Sequence, residues 1–280
     1  MKRMYLIFIF CIVAWLVFCA GCIRFRLSDQ KATALFKSKN VALKIYDTII
    51  GNRHVHFAIT GNYSLPILVI VHGSPGSWSN YAEYMYDAGL LKKFRMIAMD
   101  RPGFGYSDFG NPMHLREQCE LMLQVIAPHR NGQAIYLAGH SIGGPVIAQM
   151  AAMSPGSFKK IVIISGSISP YLEKKEKWRT IVDNTILRKF LPGSFAPSNT
   201  EITWFKKDLF QLEKELPAIN TAIVFIHGDK DDWVPIGNVR YGIEKMINAS
   251  SIQSDTIKGG GHLIIWKRFD DVKAILLKLY

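Results

Sequence analysis

The tightest constraint in this sequence is Ile135-Tyr136-Leu137-Ala138-Gly139-His140-Ser141-Ile142-Gly143-Gly144-Pro145. The apolar run Ala134 to Ala138 does not alternate with polar residues and reads as a buried strand. Ile142 to Met153 is apolar and rich in small residues, which suits a helix. Between them lies Gly-x-Ser-x-Gly. Glycines at these places remove side chains where strand and helix backbones crowd, and allow Ser141 to occupy a sharp, strained turn. Such a turn lifts the Ser141 hydroxyl clear of the sheet, with free N–H groups of a helix start behind it that can stabilise an oxyanion.

The rest of the chain has room to support such an element. Its 280 residues suffice for one large α/β domain with an insertion, or for two small domains. Hydrophobic residues make up 49% and charged residues 20%, which describes a globular chain with a sizeable core. No internal repeat or low-complexity tract is visible. The formal charge of +12 points to nucleic acid, an anionic membrane surface, an acidic substrate, or simply a basic surface. No zinc-finger spacing, RNA-binding aromatic motif or basic-region helix supports nucleic acid.

Part of that charge flanks the N-terminal segment. Lys2 and Arg3 precede an uncharged run from Met4 to Ile23, followed by Arg24 and Arg26. Twenty apolar residues are enough to span a bilayer. The run ends in Phe18-Cys19-Ala20-Gly21-Cys22, and small residues before a cysteine resemble a bacterial lipoprotein signal with Cys22 as the lipidated residue. Cys19 stands where that signal usually has an aliphatic residue, and Arg24 and Arg26 would lie on the exported side, against the positive-inside tendency. A lipoprotein signal, an uncleaved anchor and a plain secretory peptide all remain open for residues 1–22. Each implies an exported domain in a bacterial cell envelope. Outside this segment Cys119 stands alone, so no intradomain disulfide is possible. In a helix-like stretch, Cys119 reads as a small buried hydrophobe.

Residues 23–40 read as a linker, with a short helix as the alternative over Ser28 to Asn40. Val41 to Tyr46 and Val55 to Thr60 suit two strands joined at Gly51-Asn52-Arg53. Ile67 to Val71 is continuously aliphatic, as for a strand covered on both faces, and ends in His72-Gly73-Ser74-Pro75-Gly76. A helix over Tyr81 to Lys92, a strand at Met96 to Met99, the loop Asp100 to Ser107 and a helix over Leu115 to Ala127 follow. After a strand at Ile161 to Ile164 the rhythm breaks. Residues 168–217 carry scattered aromatics, prolines and charge, and read as a cap inserted over one end of the sheet. Strand Ala222 to Ile226, helix Val239 to Ile247, strand Ile252 to Ile257 and helix Phe269 to Leu279 close the pattern. Strands alternating with helices predict a mainly parallel sheet with helices on both faces.

With these loops placed, the region from Val41 to Tyr280 resembles the α/β-hydrolase superfamily, in particular the group that includes epoxide hydrolases and proline iminopeptidases. The resemblance rests on five elements in the family's order. They are His72-Gly73-Ser74-Pro75-Gly76, Asp100-Arg101-Pro102-Gly103-Phe104-Gly105-Tyr106-Ser107, Gly139-His140-Ser141-Ile142-Gly143, Gly228-Asp229-Lys230-Asp231-Asp232-Trp233-Val234-Pro235, and His262 after three glycines. The resemblance implies an eight-stranded, mainly parallel sheet with a short helical cap. It also implies a serine hydrolase with no cofactor, acting on a small acyl substrate.

A serine hydroxyl needs a base to take its proton, an imidazole titrates in the right range, and a carboxylate must orient that imidazole. The resemblance gives these roles to Ser141, His262 and an aspartate of the Gly228 loop. The family spacing Gly-x-x-Asp-x-x-x-Pro selects Asp231, with Asp232 and Asp229 as alternatives. It gives the oxyanion donors as the backbone N–H groups of Ser74 and Ile142. His72 and His140 are expected to make structural hydrogen bonds, the Asp100 loop to be scaffolding, and the basic residues of the cap to form a solvated face. Serine at the elbow argues against epoxide hydrolase and haloalkane dehalogenase chemistry. Ester hydrolysis is the leading expectation, with amide, carbon–carbon or perhydrolytic chemistry on the same fold as alternatives, and a non-catalytic binding role as the competitor from another class.

Overall fold

A computed structural model describes residues 2–174 and 176–279; Met1 and Tyr280, the ends of the N-terminal segment and of the hydrolase-like region, and Lys175 in the cap lie outside them. The helices are α1 (Lys2–Gly21), α2 (Asp29–Ser38), α3 (Ala82–Tyr86), α4 (Ala88–Leu91), α5 (Leu115–Ile126), α6 (Gly143–Met153), α7 (Lys177–Val182), α8 (Phe195–Glu215), α9 (Gly237–Lys245), α10 (Ile264–Lys267) and α11 (Phe269–Leu276). The strands are β1 (Lys44–Ile50), β2 (Arg53–Thr60), β3 (Ile67–Val71), β4 (Arg95–Met99), β5 (Ile135–His140), β6 (Lys160–Ile164), β7 (Ala222–Gly228) and β8 (Ile252–Ile257).

They form one eight-stranded sheet in the order β1-β2-β4-β3-β5-β6-β7-β8. β2 runs antiparallel to both β1 and β4, and every pairing from β4 through β3 to β8 is parallel. The expected hairpin, sheet and helical layers are therefore all present. Parallel strands need crossovers, and the crossovers cover both faces with helices. In β3, Ile67, Val69 and Val71 join the apolar cluster that includes α5 and α6, while Leu68 and Ile70 join the opposite cluster with α3 and α11. All five side chains are buried, which is why this strand shows no polar alternation. Burying an aliphatic side chain of this size contributes roughly 1.5–3 kcal/mol.

Two expectations change. The helix expected over Tyr81 to Lys92 is divided: Asp87 breaks it and then caps α4, its Oδ1 accepting the Leu90 N–H at 2.9 Å. Residues 23–40 are not a free linker. α2 buries Ala32 and Phe36 in the core, where the Phe36 ring meets Trp78 and Tyr86. The segment before it is also fastened. Ser77 Oγ donates to the Phe25 carbonyl at 2.8 Å, the Leu27 N–H donates to Ser79 Oγ at 3.0 Å, and the Arg26 guanidinium lies 3.6 Å above the Tyr106 ring.

α1 exposes Leu6, Ile7, Phe8, Ile9 and Phe10. Among the described residues no helix is long and apolar enough to cross a membrane. The C-terminal end of α1 packs instead on the cap: the Trp15 indole N–H and the Cys19 thiol both reach the Phe190 carbonyl, and the Gly193 N–H donates to the Cys19 carbonyl at 2.8 Å. Cys22 is exposed, and Cys119 is buried within the core as expected.

Candidate active site

Parallel strands bring their C-terminal ends, and the loops that follow, to one edge of the sheet. The loops after β3, β5, β7 and β8 carry Ser74, Ser141, Asp231 and His262 respectively, so topology alone gathers four distant pieces of sequence.

Ser141 has φ +55, a left-handed conformation rare for a residue with a side chain. Its N–H is fixed to the Ile164 carbonyl at 3.0 Å, and its carbonyl accepts the Gly144 N–H at 2.9 Å. Both flanking glycines are required by contact. A Cβ at Gly139 would overlap the Gly143 carbonyl, and one at Gly143 would overlap the Val71 carbonyl. This is the strained turn between strand and helix that the sequence pattern demands.

His262 Nε2 lies 3.0 Å from Ser141 Oγ, and its Nδ1 lies 2.9 Å from Asp231 Oδ2. The carboxylate therefore accepts the hydrogen bond from Nδ1–H, leaving Nε2 to accept from the serine hydroxyl. Asp231 Oδ1 accepts the Trp233 N–H at 3.1 Å and the Val234 N–H at 2.8 Å. Burial raises its carboxyl, but the His262 imidazole and the Val234 N–H outweigh that and hold it below the usual range, so it is an anion at neutral pH. The alternatives lie elsewhere: Asp229 accepts the Gly259 N–H, and Asp232 is exposed.

Two further histidines brace this arrangement. His140 Nε2–H donates to the His262 carbonyl at 3.0 Å, and His227 Nε2–H donates to the Val234 carbonyl at 2.9 Å. Burial lowers both, and with the neighbouring His262 it pushes His140 down to about 3, so each is neutral. Sequence reading anticipated His140 but passed over His227, which lies inside an apolar strand without a motif partner.

Ser74 and Ile142 border Ser141 from two sides. Ile142 follows it directly, and the Gly73 backbone lies so close that a Cβ there would be 2.9 Å from Ser141 Cβ. Neither the Ser74 nor the Ile142 N–H has a protein acceptor among the described residues. The Ser74 hydroxyl points the other way, donating to Ser198 Oγ on α8 at 3.0 Å. His72 is tied into the scaffold, as expected: the Arg101 N–H donates to its Nε2 at 2.8 Å, leaving Nδ1–H to donate to the Gly73 carbonyl at 2.6 Å. Burial and the Arg101 charge hold it well below the usual imidazole range.

Besides its basic residues, the cap contributes buried polar side chains. Ser198, Asn199, Thr200 and Glu201 of α8 are buried, and Glu201 pairs with Arg101 of the Asp100 loop. Trp233, 71% exposed, lies beside the His262 ring, tilted to it by 38° with 5.1 Å between centroids. Among the described residues no cluster of three or more His, Cys, Asp or Glu side chains is arranged to hold a metal ion.

Residues 66–189 match the protein family described as alpha/beta hydrolase fold. The chain is 22% identical over 254 residues to a Haemophilus influenzae protein named as an esterase/lipase, covering 80% of this chain and 86% of that one. It is 24% identical over 229 residues to the pimeloyl-[acyl-carrier protein] methyl ester esterase of Nitrosomonas europaea, covering 65% and 83%. Among solved structures, a bacterial membrane phospholipase A superposes with a TM-score of 0.62 at 16% identity, covering 100% of this chain and 99% of that one.

Proposed function

Starting from a chain that belongs to the α/β-hydrolase superfamily and is a hydrolase, we propose that it cleaves carboxylic esters through a Ser141–His262–Asp231 triad. The observation that carries this reading is the unbroken hydrogen-bond chain from Ser141 Oγ through His262 to Asp231. Ser141 Oγ attacks the acyl carbon while His262 Nε2 takes its proton. The carbonyl oxygen becomes an oxyanion held by the Ser74 and Ile142 N–H groups. Collapse expels the alcohol, which takes the proton from His262, and leaves the acyl group on Ser141. Water then attacks, giving its proton to His262, and the acid leaves as Ser141 is reprotonated.

Ester rather than amide chemistry is supported by the esterase names of relatives matched over 80% and 65% of this chain, where those named proline iminopeptidase match over 49%, and by the cap. An aminopeptidase reading needs a free carboxylate for the peptide amine, and the Glu201 carboxylate of α8 is already paired with Arg101. The Ser141→Ala protein should lose hydrolysis of p-nitrophenyl esters while keeping its fold, and retained activity would remove the triad. Comparing p-nitrophenyl butyrate with prolyl-p-nitroanilide separates the two bond types.

The proposal extends to the bacterial cell envelope. The exposed apolar residues of α1 and the exposed Cys22 support an exported enzyme attached at the membrane surface through its N-terminal segment. Cell fractionation with mass measurement of the N-terminal peptide tests this: a soluble cytoplasmic protein with an unmodified Cys22 would contradict it.

A further inference from the structure

The Arg101 guanidinium is fully buried, and all five of its N–H groups have acceptors. Nε donates to the His72 carbonyl at 2.9 Å and Nη2 to the Gly73 carbonyl at 3.1 Å. Nη1 donates to Gln118 Oε1 at 2.9 Å, and both terminal nitrogens reach the Glu201 carboxylate, Nη2 at 3.0 Å from Oε2. Glu201 is itself buried and belongs to α8, the long helix of the cap. One side chain therefore joins the cap to the loop that follows β3.

The Gly73 carbonyl and the Ser74 N–H belong to the same peptide group. That bond is trans, since the one cis peptide among the described residues is Ser74–Pro75. In a planar trans peptide the C=O and N–H point in opposite directions. Arg101 Nη2–H and His72 Nδ1–H both hold the Gly73 carbonyl from the scaffold side, so the Ser74 N–H is turned the other way. The close approach of Gly73 to Ser141 lies beside it. A bidentate Arg–carboxylate fork gives directional, charge-assisted contacts, and a buried arginine whose carboxylate is removed is left uncompensated.

We propose that Arg101 and Glu201 form a positioning pair that aims the Ser74 N–H at the reacting oxygen and makes that aim depend on how α8 is seated. The inference rests on the reading of Ser74 as an oxyanion donor. It assigns the Asp100 loop a part in catalysis beyond scaffolding, and gives the cap a means of acting on the rate as well as on substrate binding. With α8 displaced, Glu201 leaves the fork, Arg101 keeps only Gln118 and the His72 and Gly73 carbonyls, and its hold on the Gly73–Ser74 peptide is weakened.

The test uses full-length Glu201→Gln and Glu201→Asp proteins with p-nitrophenyl butyrate, and counts active sites by fluorophosphonate titration. Expressed per titrated serine, kcat should fall about 10- to 100-fold in Glu201→Gln, because small misplacement of a catalytic group costs this much. KM should change by less than about threefold, the pattern of an interaction made in the transition state. Glu201→Asp keeps the charge pair and should recover part of the loss; it also secures a folded variant if Glu201→Gln does not express. An unchanged kcat per titrated serine in the folded variants, with only the melting temperature lowered, would reduce the pair to a structural tether and overturn the proposal. A wild-type protein that fails to titrate at Ser141 would instead strike at the triad itself.

Discussion

His140 donates its Nε2 proton to the main-chain carbonyl of His262 at 3.0 Å, so the residue just before the nucleophile fixes the backbone of the residue proposed as base. The imidazole that makes it is buried and neutral, since burial together with His262 holds His140 at about 3. His72 and His227 are lowered as well, both chiefly by burial.

These shifts set the acid side of the stability profile. A histidine lowered in the folded protein binds its proton more readily when unfolded, so unfolding is favoured as pH falls below its unfolded value near 6.5. Each such group costs about 1.4 kcal/mol per pH unit between its unfolded and folded values. His56 works in the opposite sense: burial lowers it, but Asp100 and Asp29 outweigh that and raise it. With four lowered, His72, His129, His140 and His227, and one raised, the melting temperature should drop steadily from pH 6.5 to pH 5. Differential scanning fluorimetry across that range checks this, and a flat or rising profile would contradict it.

The carboxylate assignment is tested within a single loop. Asp231→Asn removes the acceptor that holds His262 in its working tautomer, and should lower kcat about 10,000-fold with the fold intact. Asp229→Asn and Asp232→Asn should stay within about threefold of wild type, as expected for surface changes away from the machinery. Steady-state hydrolysis of a p-nitrophenyl ester by the three proteins decides it; a severe loss in Asp232→Asn would move the role to that residue.

Gly139→Ala should fail to give a native protein, because its Cβ would overlap the Gly143 carbonyl and backbone has nowhere to move. The expected cost exceeds about 4 kcal/mol, the range reserved for backbone clashes and buried defects. Circular dichroism melts compare it with Gly21→Ala, where a Cβ meets nothing within 4 Å and the backbone is helical.

These glycines show which parts of the site are legible in a sequence. Where backbone must touch backbone, glycine is required, so Gly139, Gly143 and Gly228 mark their loops locally, while Gly259 before His262 is set by its positive φ. The aliphatic strands β3 and β5 are equally plain, since burial on both faces permits little else. α8 was hidden for the opposite reason. Its buried first turns carry Ser198, Asn199, Thr200 and Glu201, so the apolar period of this 21-residue helix begins only at Phe205, Leu209 and Leu212. The Arg101–Glu201 pair joins residues 100 apart, and no local pattern encodes such a meeting. Between a linker and a short helix over Ser28 to Asn40 the sequence does not decide, because two buried side chains, Ala32 and Phe36, are too few to set a periodicity; the helix is what forms.

That N-terminal packing has its own consequence. Phe36→Ala opens a cavity between α2, Trp78 and Tyr86 and should cost about 3–5 kcal/mol. Urea unfolding of the variant measures it directly. A loss under about 1 kcal/mol would return the segment to the status of an appendage.

The central claim is that Ser141 is activated by His262. Its most direct test is to label the full-length protein with a fluorophosphonate and map the modified peptide by mass spectrometry. The account predicts a single adduct on Ser141 in the wild-type protein and none in a folded His262→Ala protein. No adduct on folded wild-type protein, an adduct elsewhere, or undiminished labelling without His262 would contradict it.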